Sequence, residues 1–251
     1  MQIGLIGAGN MARALARGWG DPVLCSDSGS GRAQALVEEL GGEATSNLEV
    51  ARQADALLLC HKPYQLERIA AEIAGEAKAV ISVLGGTSIA KLRSAYAGAP
   101  LFRVMPNTPV EVRRGVTGYT AATDAPQELH REVVALFERV GTVLEVDESL
   151  MDALAAVSGV GPAYQALVAE AQVDAAVRHG LPAPVAGRLV AETMAGTAAL
   201  LEHRSYDTLA VRREVTSPGG GTARGLAALE RAGVRAAFHD AIDAVAGWSQ
   251  G

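Results

Sequence analysis

The sequence predicts an α/β fold in two parts: a doubly wound sheet of parallel strands, followed by an all-helical half. Three observations predict it. Short apolar runs alternate with helix-type stretches over the first 145 or so residues, a glycine-spaced turn follows the first of those runs, and from Glu148 to Gly251 no strand-like run is found.

Taken in order, "IGLI" (3–6), "VLC" (23–25), "ALLLC" (56–60), "AVISVL" (79–84) and "LFRVM" (101–105) are continuous apolar runs suited to strands covered on both faces. Between them lie helix-type stretches at Met11–Trp19, Gly31–Leu40, Tyr64–Ala74 and Ile89–Ala95. This alternation implies βαβ units. "VTGYTA" (116–121) and "GTVLEV" (141–146), on either side of a helix at Gln127–Val140, read as the last strands. The second half carries helices at Ser149–His179, Pro184–Glu202, Tyr206–Val215, Ala223–Ala232 and Val234–Trp248. A boundary near residue 147 divides the chain into 1–147 and 148–251. The later helices are rich in alanine and poor in aromatic residues, so alone they make a small core, and association through this half would supply the missing burial.

The chain has 251 residues and a formal net charge of −6, with acids and bases interspersed. No basic patch points to nucleic acid or an anionic membrane. No signal-peptide pattern opens the sequence, and the apolar runs fall far short of the ~20 residues that cross a bilayer. The 2 cysteines, Cys25 and Cys60, each end an apolar run without CxxC spacing, which reads as buried free thiols in a reducing compartment. The 5 histidines show no HxxxH pairing and no acidic cluster joins them, so no metal site is expected. The expectation is a cytoplasmic protein acting on a small molecule.

"IGLIGAGNMARAL" places Gly7, Gly9 and Ala12 in GxGxxA spacing, after a strand and at the opening of a helix. Gly7 permits a tight turn, Gly9 lets a pyrophosphate approach the backbone, and Ala12 keeps helix and strand close. The helix N-terminus then faces the phosphates with free N–H groups. In this context the spacing predicts a Rossmann-like dinucleotide site. "CSDSGSGR" ends the second strand, and Asp27 sits where an acid commonly takes the ribose diol of NAD. Yet Ser26, Ser28, Ser30 and Arg32 surround it with donors suited to a 2′-phosphate, and Arg32 reads equally as a solvated helix residue. "LLLCHKPYQ" brings His61, Lys62 and Pro63 to the end of a central strand, with Pro63 placed to begin a helix and His61 more structural than catalytic. "SVLGGT", with Gly85 and Gly86, and "RVMPNTP", with Asn107, end two further strands and are expected to line the same crevice.

In the second half "VTSPGGGTARGL" sets three glycines before a helix, although glycine costs about 1 kcal/mol against alanine inside one. Thr216 or Ser217 as cap and Pro218 in the first turn would leave bare N–H groups at the helix's positive end. Gly219, Gly220, Gly221 and Thr222 are therefore suited to hold a small carboxylate. "SGVGPAY" interrupts another helical run at Gly159, Gly161 and Pro162, either as a kink or as a close helix contact.

On "IGLIGAGNMARAL", "HKP", "RVMPNTP", "SGVGPAY" and "VTSPGGGTARGLAALE", in that order, the chain resembles the pyrroline-5-carboxylate reductases over essentially its whole length. The resemblance implies an N-terminal Rossmann-like domain for NADPH, a helical C-terminal dimerisation domain, and reduction of 1-pyrroline-5-carboxylate to L-proline. It implies cofactor contacts at Ala8, Asn10, Met11, Ser26, Asn47, Cys60, His61, Lys62, Pro63 and the turn at Gly85. It implies substrate contacts at Glu148, Gly221 and Thr222, with the Thr222 hydroxyl near the ring nitrogen of the imine. Three positions depart from the family pattern: Val160 replaces a serine, Gly221 replaces a threonine, and Glu214 stands where an amide side chain is usual. NADP(H) is favoured and NAD(H) stays open.

Three other readings compete with this one. A β-hydroxyacid dehydrogenase shares the two-part plan, but its alcohol chemistry needs a general acid–base, usually lysine on the long helix, and residues 149–178 contain none. A reductase of another cyclic imine and a non-catalytic NADP sensor are the remaining two.

Overall fold

The computed structural model describes residues 1–246. One eight-stranded sheet runs in the order β3-β2-β1-β4-β5-β6-β7-β8. Its strands are β1 (Ile3–Ile6), β2 (Val23–Ser26), β3 (Gly42–Ala44), β4 (Ala56–Leu59), β5 (Val80–Ser82), β6 (Leu101–Pro106), β7 (Gly115–Ala121) and β8 (Gly141–Glu145). All neighbouring pairs are parallel except β6 and β7, which pair antiparallel from Phe102↔Ala121 to Pro106↔Thr117. The link between those two is only a 3₁₀ turn, Thr108–Val112, far too short for the crossover that a parallel pair demands.

The helices of this part are α1 (Asn10–Trp19), α2 (Arg32–Leu40), α3 (Asn47–Gln53), α4 (Leu66–Ile73), α5 (Ile89–Ala95) and α6 (Gln127–Glu138). They form two separate cores, as a sheet covered on both faces requires. Leu5, Leu58 and Phe102 pack with Leu15, Trp19 and Phe137. Ile6, Leu57, Leu59 and Leu101 pack with Val50, Ile69, Ile73 and Tyr96. Neighbouring residues of one strand thus enter opposite cores, which is the period-2 alternation of a strand.

Sequence reading missed β3 and α3. β3 is three residues with no apolar run, held by parallel pairing with β2 and entered through Gly42 at φ +109, where a Cβ would lie 2.0 Å from the Val23 carbonyl oxygen. α3 is capped by Ser46, whose hydroxyl accepts from the Glu49 N–H.

The single helix expected at Ser149–His179 is also corrected. A 3₁₀ turn (Glu148–Leu150) leads into α7 (Met151–Leu154), a π-turn (Ala155–Gly159) and then α8 (Gly161–Arg178). The Val160 N–H reaches back to the Ala155 carbonyl at 3.2 Å, which marks the π-turn. Glycine on both sides of Val160 gives the chain the freedom to do this. The remaining helices are α9 (Ala183–His203), α10 (Thr208–Glu214), α11 (Gly221–Arg231) and α12 (Val234–Ala246). The last two residues of the helix expected to reach Trp248 lie outside the described residues.

Two compact units emerge: Met1–Pro162 together with Val245 and Ala246, and Ala163–Ala244. The second is held internally by contacts such as Tyr164 against Phe238, ring centroids 6.5 Å apart, and the Arg204–Glu214 ion pair at 2.7 Å. It buries little by itself. α8 has no buried residue, and α9 buries only Ala186 and Val190 along 21 residues. Leu167, Val185 and Leu189 are more than half exposed in the single chain. Among the described residues no helix is long and apolar enough to cross a membrane, and no cluster of potential ligands could hold a metal ion.

Candidate active site

The first unit builds a cavity of about 500 Å³ beyond the carboxyl ends of β1, β2 and β4, flanking the central β1. Gly7, at φ +105, makes the turn out of β1; a Cβ there would stand 3.0 Å from the Cys60 and His61 backbone. Gly9 is different. A Cβ on it would meet only the Cys60 carbonyl oxygen, at 3.8 Å, so its smallness is not needed for the protein's own packing and leaves the space above it open. Gly9 is the N-cap of α1 and no side chain caps that helix, so its first N–H groups face outward without a side-chain acceptor.

Asp27 does not point a free carboxylate at the cavity. It accepts from the Gly29 N–H at 2.8 Å, the Ser30 hydroxyl at 2.8 Å and the Ala33 N–H at 3.0 Å, tying down the loop that opens α2. Burial alone would raise its pKa, but the hydrogen bonds from Ala33, Ser30, Gly29 and Arg32 together outweigh it and hold the group at about 2. Ser28 and Arg32 line the cavity beside it.

Ser26 is buried beneath this wall, its hydroxyl donating to Asn47 Oδ1 at 2.6 Å, while Asn47 Nδ2 donates to Glu72 at 3.0 Å. Asn47 and Glu72 line the cavity; Ser26 acts behind them.

His61 Nδ1 lies 2.9 Å from the Lys62 carbonyl oxygen. That oxygen can only accept, so Nδ1 carries the proton and Nε2 presents a lone pair. Nε2 is buried at the cavity wall without a protein partner. Burial, with the Arg68 charge added, lowers the pKa of the ring and keeps it neutral. The Cys60 thiol is pushed up to about 12 by burial and stays protonated. Pro63 starts a 3₁₀ turn (Pro63–Gln65) ahead of α4, and Gln65 returns its side-chain oxygen to the Lys62 N–H at 3.0 Å.

A second, mostly apolar cavity of about 280 Å³ gathers Met11, Val83, Gly85, Gly86, Met105 and Val160. Here the π-turn and the first turn of α1 meet the ends of β5 and β6. Val160 thus presents methyl groups where the family pattern has a hydroxyl.

Other expected residues do not line either cavity. Asn10 accepts from Arg13 at 2.7 Å at the exposed start of α1. Asn107 donates to the Ser158 carbonyl and hydroxyl and accepts from the Val116 N–H, which makes it a brace between β7 and the π-turn. Glu148 Oε1 accepts from the Ile89 N–H at 2.6 Å, at the start of α5, and from Arg103 at 3.3 Å. Arg103 is only 4 % exposed and also holds Asp152 at 3.1 Å.

Sequence reading missed Arg103, Gln65, Arg68 and Glu72. An arginine inside the apolar run "LFRVM" was the available signal for Arg103, since a buried guanidinium must find carboxylates.

In the second unit the three-glycine segment opens α11, but not as expected. Neither Thr216 nor Ser217 caps it: the Thr216 hydroxyl donates back to the Arg212 carbonyl, and Gly220 itself is the N-cap. Pro218 stands ahead of the first turn rather than in it. Gly219 takes φ +69, the Gly220 N–H donates to the Ser217 carbonyl at 3.1 Å, and the helix begins at Gly221. A Cβ at Gly221 would meet nothing within 4 Å, and Thr222 is exposed. Glu214, close by in sequence, is engaged by Arg204.

The donor set of the first cavity fits a phosphorylated dinucleotide. Uncapped N–H groups at α1, a glycine whose missing Cβ leaves room above it, cations at Arg32, Lys62 and Arg68, and an orphaned imidazole acceptor for a sugar hydroxyl all face one space.

Comparison with known proteins matches both parts of the chain. The family described as "Pyrroline-5-carboxylate reductase dimerisation" matches residues 148–250, and that described as "NADP oxidoreductase coenzyme F420-dependent" matches residues 2–86. The pyrroline-5-carboxylate reductase of Synechocystis sp. is 37 % identical, over 97 % of this chain and 95 % of its own. That of Thermus thermophilus is 36 % identical, with 97 % and 95 % covered. Among solved structures, the Plasmodium falciparum pyrroline carboxylate reductase with NADP bound superposes with a TM-score of 0.90 at 28 % identity, covering 99 % of this chain and 97 % of that one. The Streptococcus pyogenes 1-pyrroline-5-carboxylate reductase gives 0.89 at 30 % identity, covering 99 % and 98 %.

Proposed function

The chain belongs to the pyrroline-5-carboxylate reductase family, and from that membership we propose how its own residues carry out the reduction of 1-pyrroline-5-carboxylate to L-proline. NADP(H) is the favoured coenzyme, with NAD(H) possible. When bound, it supplies a hydride to the C=N carbon of the imine.

The cofactor is held by the first cavity. The N–H groups of α1 above Gly7, Ala8 and Gly9 would hold its pyrophosphate, and Ser28, Arg32 and Asn47 would hold its adenosine end. The apolar cavity of Met11, Gly85, Gly86 and Val160 would take the nicotinamide and exclude water from it. Among its described lining residues the one charged side chain is Asp152, which the buried Arg103 engages.

The substrate brings a carboxylate and a ring nitrogen that is protonated when it reacts. The amide N–H groups of Gly221 and Thr222 bind the carboxylate at the positive end of α11, where the absence of side chains lets an anion reach the backbone. Thr222 Oγ1 accepts from the ring N–H and so fixes which face of the imine is presented. Reduction leaves a neutral ring nitrogen that solvent protonates, so the protein needs no metal and no strong acid–base residue. The observation that carries this reading is the start of α11: an uncapped helix N-terminus, open above Gly221, beside a hydroxyl. Glu148, with its carboxylate on Ile89 and Arg103, acts as a brace within the first unit.

The enzyme is a homo-oligomer, and we assign a dimer through the second half, whose helices leave Leu167, Val185 and Leu189 uncovered in a single chain. We place it in the cytoplasm, where free Cys25 and Cys60 stay reduced. The test is direct. Purified protein mixed with NADPH and pyrroline-5-carboxylate should consume reduced nicotinamide and yield proline. Saturable NADPH binding with no turnover would reduce the protein to a sensor and refute the assignment.

A further inference from the structure

We propose that Arg68, on α4, is a second reader of the adenosine 2′-phosphate, acting from the side of the cavity opposite Arg32. The inference rests on the NADP(H) reading of the first cavity and goes beyond it by assigning coenzyme discrimination to a residue outside the β2–α2 loop.

The topology sets the two arginines apart. β2 and β4 flank β1 on either side. Arg32 is the first residue of α2, after β2, and Arg68 is the third residue of α4, after β4. Both line the same cavity, with the glycine loop between them. A ligand lying across that loop therefore has one guanidinium on each flank.

Charge accounting at the cavity wall favours a dianion there. Its cations are Arg32, Lys62 and Arg68, and among the described residues none of the three forms an ion pair with a carboxylate of the protein. Its two carboxylates are already engaged: Asp27 by its own loop, and Glu72 by the Asn47 amide. The field of Arg68 extends into the site, since it disfavours protonation of His61 at the cavity wall. A phosphate monoester on the ribose would meet unpaired, planar donors on both sides, the geometry for which arginine is suited. A ribose diol would meet no free carboxylate, because the acid at the usual position is turned into the loop.

The test reads binding of adenosine fragments by calorimetry on the full-length protein, without turnover. Wild type should bind 2′,5′-ADP at least about tenfold tighter than 5′-AMP, a preference that shrinks as salt rises. Arg68→Gln should cut that preference about tenfold while leaving 5′-AMP affinity unchanged, and Arg68→Lys should restore part of it. A preference untouched by Arg68→Gln, or equal weakening of both nucleotides, overturns the proposal; the second result would make Arg68 a platform for adenine rather than a phosphate reader. If wild type binds neither fragment nor NADPH, the cofactor reading itself falls, which is a separate outcome.

Discussion

Replacing Asp27 by alanine separates two roles that the sequence leaves entangled. If Asp27 reads the ribose diol, its loss weakens NADH binding and leaves stability alone. If it is the anchor of the β2–α2 loop, stability falls and the coenzymes are affected little. The hydrogen bonds from Gly29, Ser30 and Ala33 favour the anchor.

The depression of its pKa from 3.8 to about 2 corresponds to about 2.4 kcal/mol at roughly 1.36 kcal/mol per unit. The side chain is partly open to water, which can replace some of those donors, so we expect about 1 to 1.5 kcal/mol. The pH dependence follows from a folded pKa below the unfolded one. The contribution is fully present above about pH 4 to 5 and fades as pH falls toward 2. Urea unfolding of wild type and Asp27→Ala should therefore differ by a constant amount between pH 7 and 5, and the gap should narrow below pH 4. Removing one partly screened charge several ångströms from a phosphate should alter the NADPH-to-NADH affinity ratio by no more than about threefold. An NADH affinity that drops tenfold with unfolding unchanged would refute the anchor role.

Three further outcomes are expected. Gly221→Val should raise KM for the imine at least tenfold with the melting temperature preserved, because its Cβ meets nothing in the protein but stands over the N–H groups of α11; unchanged steady-state kinetics would move the carboxylate elsewhere. Glu148→Ala removes the acceptor of the Ile89 N–H and one of two carboxylates on buried Arg103, and should cost about 1 to 3 kcal/mol in chemical denaturation; a loss below about 0.5 kcal/mol would show that neither contact matters in solution. Cys25 and Cys60, raised by burial to about 11 and about 12, should resist thiol reagents at pH 8 until urea is added. Rapid labelling of native Cys60 would contradict the burial of its thiol.

The parts legible in the sequence are those where a local rule and the global fold ask for the same residue. Gly7 needs positive φ and a missing Cβ, and both requirements are visible in a glycine that follows an apolar strand. The apolar runs of β1, β4 and β6 announce strands because both faces are covered. β3 was not legible: three residues with no apolar side chain beyond Ala44 exist as a strand only because β2 offers an edge to pair with. α3 had a readable signal in Ser46 and Glu49, the start of a capped helix, which a search for apolar periodicity passes over. The cap expected on α11 failed for the opposite reason. Thr216 and Ser217 are good caps by type, yet the helix starts later, because Gly219 turns the chain through φ +69 first.

The site shows the same division at the level of charge. A motif identifies where an acid stands but not which donors reach it first, and that competition decides what the acid does. Asp27 and Glu148 both occupy positions where a ligand contact is expected, and both carboxylates are engaged by backbone N–H groups of a nearby helix start. Arg103 sits in an apolar strand where sequence alone gives it no partner, yet in the fold Glu148 and Asp152 stand within ion-pair distance of its buried guanidinium. The carboxylates of Asp27, Glu72 and Glu148 are thus engaged within the protein, while Arg32, Lys62 and the helix N-termini of α1 and α11 carry no side-chain partner there. A chain with a net charge of −6 in this way still presents donors to an anionic coenzyme, because the two carboxylates lining the first cavity are engaged by protein donors.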